Sequence, residues 1–162
     1  MARAPVVPLV VVWLSLIFAL CLQVMPLADG WQVFRPEWIR LMLIYWCMQA
    51  PDRVGVFHGF VFGLLMDLIE GTALGQHALI FSILTFLAAL VYPRFRAYSL
   101  VQQSVLVLVL LGLAQLIEQW LRTLTGVFSI HLSFLIPSLV SAFLWPWLST
   151  MFKAIERRMA NA

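Results

Sequence analysis

Arg40, Asp67, Glu70, Glu118 and Arg122 lie inside or at the ends of long apolar runs, and they are the side chains here best suited to chemistry. A charge at membrane depth is costly without a partner, so such residues mark substrate paths, proton relays or ion pairs. Glu118 and Arg122 are spaced i,i+4 and pair on one helix face. Arg40 is the expected counter-ion of Asp67, the alternative being a protonated Asp67. Gln115 and Gln119 add hydrogen-bonding groups beside Glu118. The functional reading of this intramembrane cluster is a substrate or proton site. The weightier reading is an internal ion-pair network that orients helices.

Other chemistries find no support in the spacing. No HExxH, no G-x-S-x-G and no phosphate-binding P-loop occurs. His58, His77 and His131 stand far apart without metal-ligand spacing and read as packed core or interface histidines. Ser82, Ser104, Ser138 and Ser141 are isolated in apolar stretches, where bonding back to a carbonyl one turn earlier is the ordinary fate. Cys21 and Cys47 both fall inside apolar runs, so neither a disulfide framework nor a metal site is indicated. These absences argue against an enzyme and give no sign of a cofactor.

The elements that must hold the charged residues are membrane helices. Hydrophobic residues make up 64% of the 162, charged residues 10%, and mean hydropathy is +1.00, far from the quarter charged that a soluble domain carries. Apolar runs bounded by Pro, Gly and charge predict an all-α polytopic membrane protein of about six transmembrane helices in one domain, 1–162. The expected spans are residues 6–25, 36–50, 54–70, 77–92, 99–124 and 132–152. The first run is too long for the apolar core of a signal peptide and is read as a span. The second is short for a core of about 30 Å. Ser99 and Gln102 form a capping-box pattern ahead of the fifth, Gly126 is its expected stop, and Pro146 predicts a kink in the sixth.

The third run carries a row of small or acidic residues at every fourth position: Gly55, Gly59, Gly63, Asp67, Gly71 and Gly75. Spacing by four returns to nearly one helix face, and small residues there let two helix backbones approach closely. This helix is therefore expected to be central, its groove filled by the first, fifth or sixth segment or by a partner's anchor. With both termini cytoplasmic, the inner loops carry Arg3, Arg53, Arg94, Arg96, Lys153, Arg157 and Arg158 against Arg35, Arg40 and Arg122 outside. That asymmetry predicts an N-in, C-in topology. Trp31, Trp38 and Trp120 are then outer interfacial anchors, and Trp145 and Trp147 inner ones. The net charge of +3 reads as topology information, not as nucleic-acid affinity.

Taken in order, VFRPEW, YW followed by PDRVGV, GFVFGLLMDLIEGTALG and LWPW resemble the bacterial rod shape-determining protein MreD family over nearly the whole chain. The resemblance implies an inner-membrane component of the cell-elongation machinery that inserts peptidoglycan. It implies MreC as first partner, with RodA, a class B penicillin-binding protein and MreB filaments beyond it. It also implies a fold like the substrate-binding membrane subunits of energy-coupling-factor transporters, and it carries over no catalytic residue. The alternative is a small-molecule-binding membrane subunit of a transporter, which would need several polar groups converging in a cavity.

Overall fold

A computed structural model describes residues 7–126 and 132–160. His131, one of the three histidines weighed above, and Arg3 of the charge asymmetry lie outside the described residues. The helices are α1 (Leu9–Val24), α2 (Trp38–Gln49), α3 (Val56–Glu70), α4 (Gln76–Phe95), α5 (Leu100–Leu124) and α6 (Ile136–Ala160). Short 3₁₀ turns at Gln32–Phe34 and Leu132–Leu135 lead into α2 and α6. The capping box is formed: Gln102 N–H donates to Ser99 Oγ at 3.4 Å, and Ser99 N–H to Gln102 Oε1 at 3.0 Å. Pro93 does not end α4, because a proline in the last turn forfeits only one backbone bond. Pro137 sits in the first turn of α6, where its missing N–H costs nothing, and α6 runs through Pro146.

The centre of the bundle is α2, not α3. Every residue from Ile39 to Met48 is buried, and α2 touches α1, α4, α5 and α6. Arg40 is buried with the rest, so protein and not lipid encloses this helix. α3 instead packs its small-residue face on α4. Trp13 of α1 lies over it, with ring centroids 5.4 Å from both His58 and Phe62. Its far face leaves Phe57, Phe60, Leu68 and Ile69 exposed. Phe18, Leu90, Val101 and Phe143 are exposed in the same way on α1, α4, α5 and α6, and Phe143 reaches 85%. Side chains of this kind around a whole bundle suit hydrocarbon, not water.

Among the described residues, three helices are long and apolar enough to cross a membrane: Gln76–Phe95, Leu100–Leu124 and Ser133–Met159. α1, α3 and α2, with 16, 15 and 12 residues, are shorter. Arg53 Nη1 donates to Val7 O at 2.9 Å, so the start of α1 lies beside the α2–α3 turn. Arg35 donates to the carbonyls of Gln23 and Met25, so the end of α1 is tied to the chain entering α2. Trp145 is 1% exposed and is therefore no interfacial anchor. It packs edge-on to Phe95 and donates its indole N–H to Gln103 Oε1 at 3.4 Å. Trp31, Trp120 and Trp147 are 60% exposed or more.

Candidate functional site

Two of the row's glycines make the seam that holds α3 on α4. A Cβ on Gly63 would lie 2.5 Å from Ala78 Cα and 2.5 Å from His77 O, and one on Gly59 2.5 Å from Phe81 O. The partner is the fourth segment, not the first, fifth or sixth, because a turn of only five residues folds α4 straight back along α3. Gly55, Gly71 and Gly75 are not part of the seam, since a Cβ on any of them meets nothing within 4 Å. Gly71 and Gly75, at φ +66° and +99°, make the turn itself.

That turn fixes Asp67. Its carboxylate accepts from the backbone N–H groups of Gly75 at 2.9 Å, His77 at 2.8 Å and Ala78 at 3.3 Å, and from Thr72 Oγ1 at 2.8 Å. His77 Nδ1 lies 2.9 Å from the same carboxylate. Asp67 thus caps the start of α4, where unpaired N–H groups and the helix dipole favour an anion. The expected Asp67–Arg40 pair is not formed, because both ends are otherwise engaged. Arg40 Nη1 donates to Glu37 Oε1 at 2.9 Å, its Nη2 pairs with Glu118 Oε2, and its guanidinium lies 5.5 Å from the Phe81 ring centroid.

The remaining members lie close together. Arg122 Nη2 is 2.5 Å from Glu118 Oε1 across one helical turn. His77 links the groups: its Nε2 lies 3.5 Å from Glu70 Oε2 and 3.8 Å from Glu118 Oε1. Arg40, Glu118, Arg122, His77, Glu70 and Asp67 therefore form one chain of contacts across α2, α5, α4 and α3. The network extends to α6 through Gln115 and through Glu37, which sequence reasoning left out. Glu37 Oε1 accepts from Gln115 Nε2, and Ser138 Oγ donates to Gln115 Oε1 at 2.5 Å. Glu37 N–H donates to Ser141 Oγ at 2.8 Å, which caps α2, while Ser141 Oγ donates back to Pro137 O at 2.6 Å. Ser138 is thus no back-bonded serine, whereas Ser82, Ser104 and Ser141 are. The missed signal was Glu37 itself, an acid three residues before Arg40 at a helix start.

Beside the network lies a cavity of about 200 Å³, whose walls include Gln23, Arg35, Glu37, Glu70, His77 and Arg122. An open depression of about 560 Å³ shares Glu70 and Arg122 with it. Among the described residues no three His, Cys, Asp or Glu side chains are grouped to hold a metal. What the arrangement does is lock helices. Every charged group in it faces an opposite charge or a hydrogen-bonding group, and removing one partner of a buried pair typically costs about 3–5 kcal/mol.

A family model described as rod shape-determining protein MreD matches residues 6–155. The rod shape-determining protein MreD of Haemophilus influenzae is 32% identical over 148 residues, covering 88% of this chain and 88% of that protein. No solved structure matches.

Proposed function

The chain belongs to the MreD family of rod shape-determining proteins, and on that premise we propose that it is a non-enzymatic inner-membrane component of the peptidoglycan-inserting elongation complex. Its work is to bind partner membrane proteins, MreC first, and through it RodA, a class B penicillin-binding protein and MreB filaments. The observation that carries this reading is the match over nearly the whole chain. The direction of its polar groups supports it: the charges are spent on one another inside the bundle, while large apolar side chains face outward for lipid or partner helices.

In this proposal all six helices span the membrane, with both termini in the cytoplasm and the Arg40–Glu118 network in the outer half. The basic loops at one end and the paired charges at the other support that orientation. Kinship with energy-coupling-factor subunits remains part of the proposal on resemblance alone. A second reading, a small-molecule-binding transporter subunit, is favoured by the cavity. At about 200 Å³ that cavity falls below the roughly 300–1,000 Å³ of ordinary ligand pockets, so scaffolding leads.

Deletion of the gene in its host should turn rods into spheres, and the tagged chain should restore rods and co-purify MreC. Unchanged rod shape after deletion, or restored shape without any recovery of MreC, would reject the proposal.

A further inference from the structure

α1 packs chiefly on α2, and α6 chiefly on α5, so the two leave a groove between them with α2 as its floor. The groove encloses about 190 Å³. Ser15 and Ala19 of α1, Met42 of α2 and Leu148 of α6 line it, and Phe18 and Trp147, 63% and 60% exposed, border it on the α1 and α6 sides. The hydroxyl of Ser15 is already spent: Oγ donates to Val12 O at 2.8 Å and accepts from Trp46 Nε1 at 2.8 Å. The rest of the lining is apolar or aromatic, so the groove suits hydrocarbon and not a polar solute. A helix is about 10–12 Å across, and two turns of one displace on the order of 800 Å³. The groove is too narrow for a helix, whether from a partner or from a second copy, and wide enough for a hydrocarbon chain.

One end of the groove leads to charge. On α6 its wall includes Met151, and the same helix face continues through Ile155, four residues on, to Arg158, seven residues on and about 10 Å further along. Ile155 and Arg158 are both exposed. Helix side chains lean toward the helix N-terminus, so Arg158 leans back toward the groove. On α1 the face of Ser15 runs seven residues the other way to Pro8, again about 10 Å, and beside it the exposed Arg53 donates from Nη1 to Val7 O at 2.9 Å. Both cations lie toward the end of α2, since Tyr45 donates to Glu156 Oε1 at 2.9 Å and Arg53 sits in the α2–α3 turn. Among the described residues neither has a carboxylate partner. Glu156 is engaged by Tyr45, and Asp52 is exposed to solvent. A spacing of about 10 Å between cation and groove falls within one leaflet, half of a hydrocarbon core of about 30 Å.

We propose that this groove seats an acyl chain of an anionic phospholipid, whose headgroup is held by Arg158 on α6 and Arg53 beside the start of α1. The leaflet is the cytoplasmic one in the proposed topology, but the groove itself does not rest on that topology or on partner binding. Phosphatidylcholine provides the control, since its choline cancels the phosphate charge while its chains are the same.

The test uses the full chain reconstituted in phosphatidylcholine vesicles with a trace of photoactivatable lipid. The probe carries a diazirine on its acyl chain and is either phosphatidylglycerol or phosphatidylcholine. After illumination, adducts are mapped by peptide mass spectrometry. Phosphatidylglycerol adducts should concentrate on residues 15–22 and 147–152, against few on the exposed α3 face at Phe57 and Phe60. Each arginine near an anionic lipid is worth about fivefold, so the groove should prefer the glycerol probe by about tenfold or more. Arg158→Gln should cut that preference about fivefold, and Arg158→Gln together with Arg53→Gln should abolish it. Leu22→Trp, which adds bulk to the groove wall, should remove the groove adducts and leave those on α3. Should Leu22→Trp fail to fold, the arginine variants, both at exposed positions, carry the comparison. A preference that survives loss of both arginines, or adducts spread evenly over every exposed face, would overturn the proposal. A groove without lipid adducts in a chain that runs as a dimer would belong to a second copy and would overturn it too.

Discussion

Gly63→Ala is the smallest change that should do the most damage. The added Cβ would sit 2.5 Å from Ala78 Cα, 2.5 Å from His77 O and 2.6 Å from Ala78 N. All three are backbone atoms, so no side chain can swing away, and α4 must shift by about 1 Å to restore van der Waals distance. Overpacking of that kind costs about 1–3 kcal/mol. The shift also moves the His77 and Ala78 N–H groups that bind Asp67, and each charge-assisted bond is worth about 1.5–3 kcal/mol. A total near 3 kcal/mol lowers the melting temperature of a domain this size by about 6–12 °C. Gly112→Ala is the matched control. It lies in α5 with nothing within 4 Å of its Cβ, and alanine there should stabilise by up to about 1 kcal/mol. Thermal scans of detergent-purified protein and membrane yield read both variants. Gly59→Leu and Gly63→Leu should fail to accumulate at all. If Gly63→Ala melts and accumulates like Gly112→Ala, the α3–α4 seam is misread.

Arg40→Ala strips the shared counter-ion from Glu37 and Glu118 and should cost about 3–5 kcal/mol, seen as loss of monodisperse protein in size-exclusion chromatography. Asp67→Asn keeps one acceptor for the start of α4 but loses the charge. The bonds from the Gly75 and Ala78 N–H groups to the lost oxygen go with it, so it should cost about 3 kcal/mol or more in a thermal scan, and an unchanged melting temperature would contradict its role as a cap. Reporter fusions after Ala162 and between Arg94 and Tyr98 should report cytoplasm, and one near Asp29 periplasm. An external C-terminus would reverse the assignment.

Apolar runs and their punctuation made the helices legible; α4 runs past Pro93 to Phe95, and α6 runs to Ala160, well past the expected 152, because its basic end stays helical beyond the apolar run. The glycine row was legible as a close-packing device, but a spacing of four cannot tell a seam residue from a turn residue. Gly59 and Gly63 differ from Gly71 and Gly75 only by where α3 ends. Part of the cluster's membership was readable from ionisable residues in apolar surroundings, but Glu37 and His77 were not found, and neither was the wiring. Which carboxylate meets Arg40 depends on how α5 and α3 approach α2. Asp67 is claimed by backbone donors, which are present at every helix start and invisible as residue types. Trp145 misled because tryptophan serves equally as interface anchor and as buried ring.

The enclosure of α2 bears on how the chain is made. A segment of 12 residues, about 18 Å long and carrying Arg40, is a poor candidate for release into lipid one helix at a time. In the proposed six-span topology, its short ends and its charge would be tolerated at membrane depth only because other helices surround them. Biogenesis must therefore hold α2 at the translocation machinery, or in a shallow position, until α4 and α5 have emerged to receive it. A nascent chain stopped after α3 should leave α2 open to modification by aqueous reagents, and one extended past α5 should close it off.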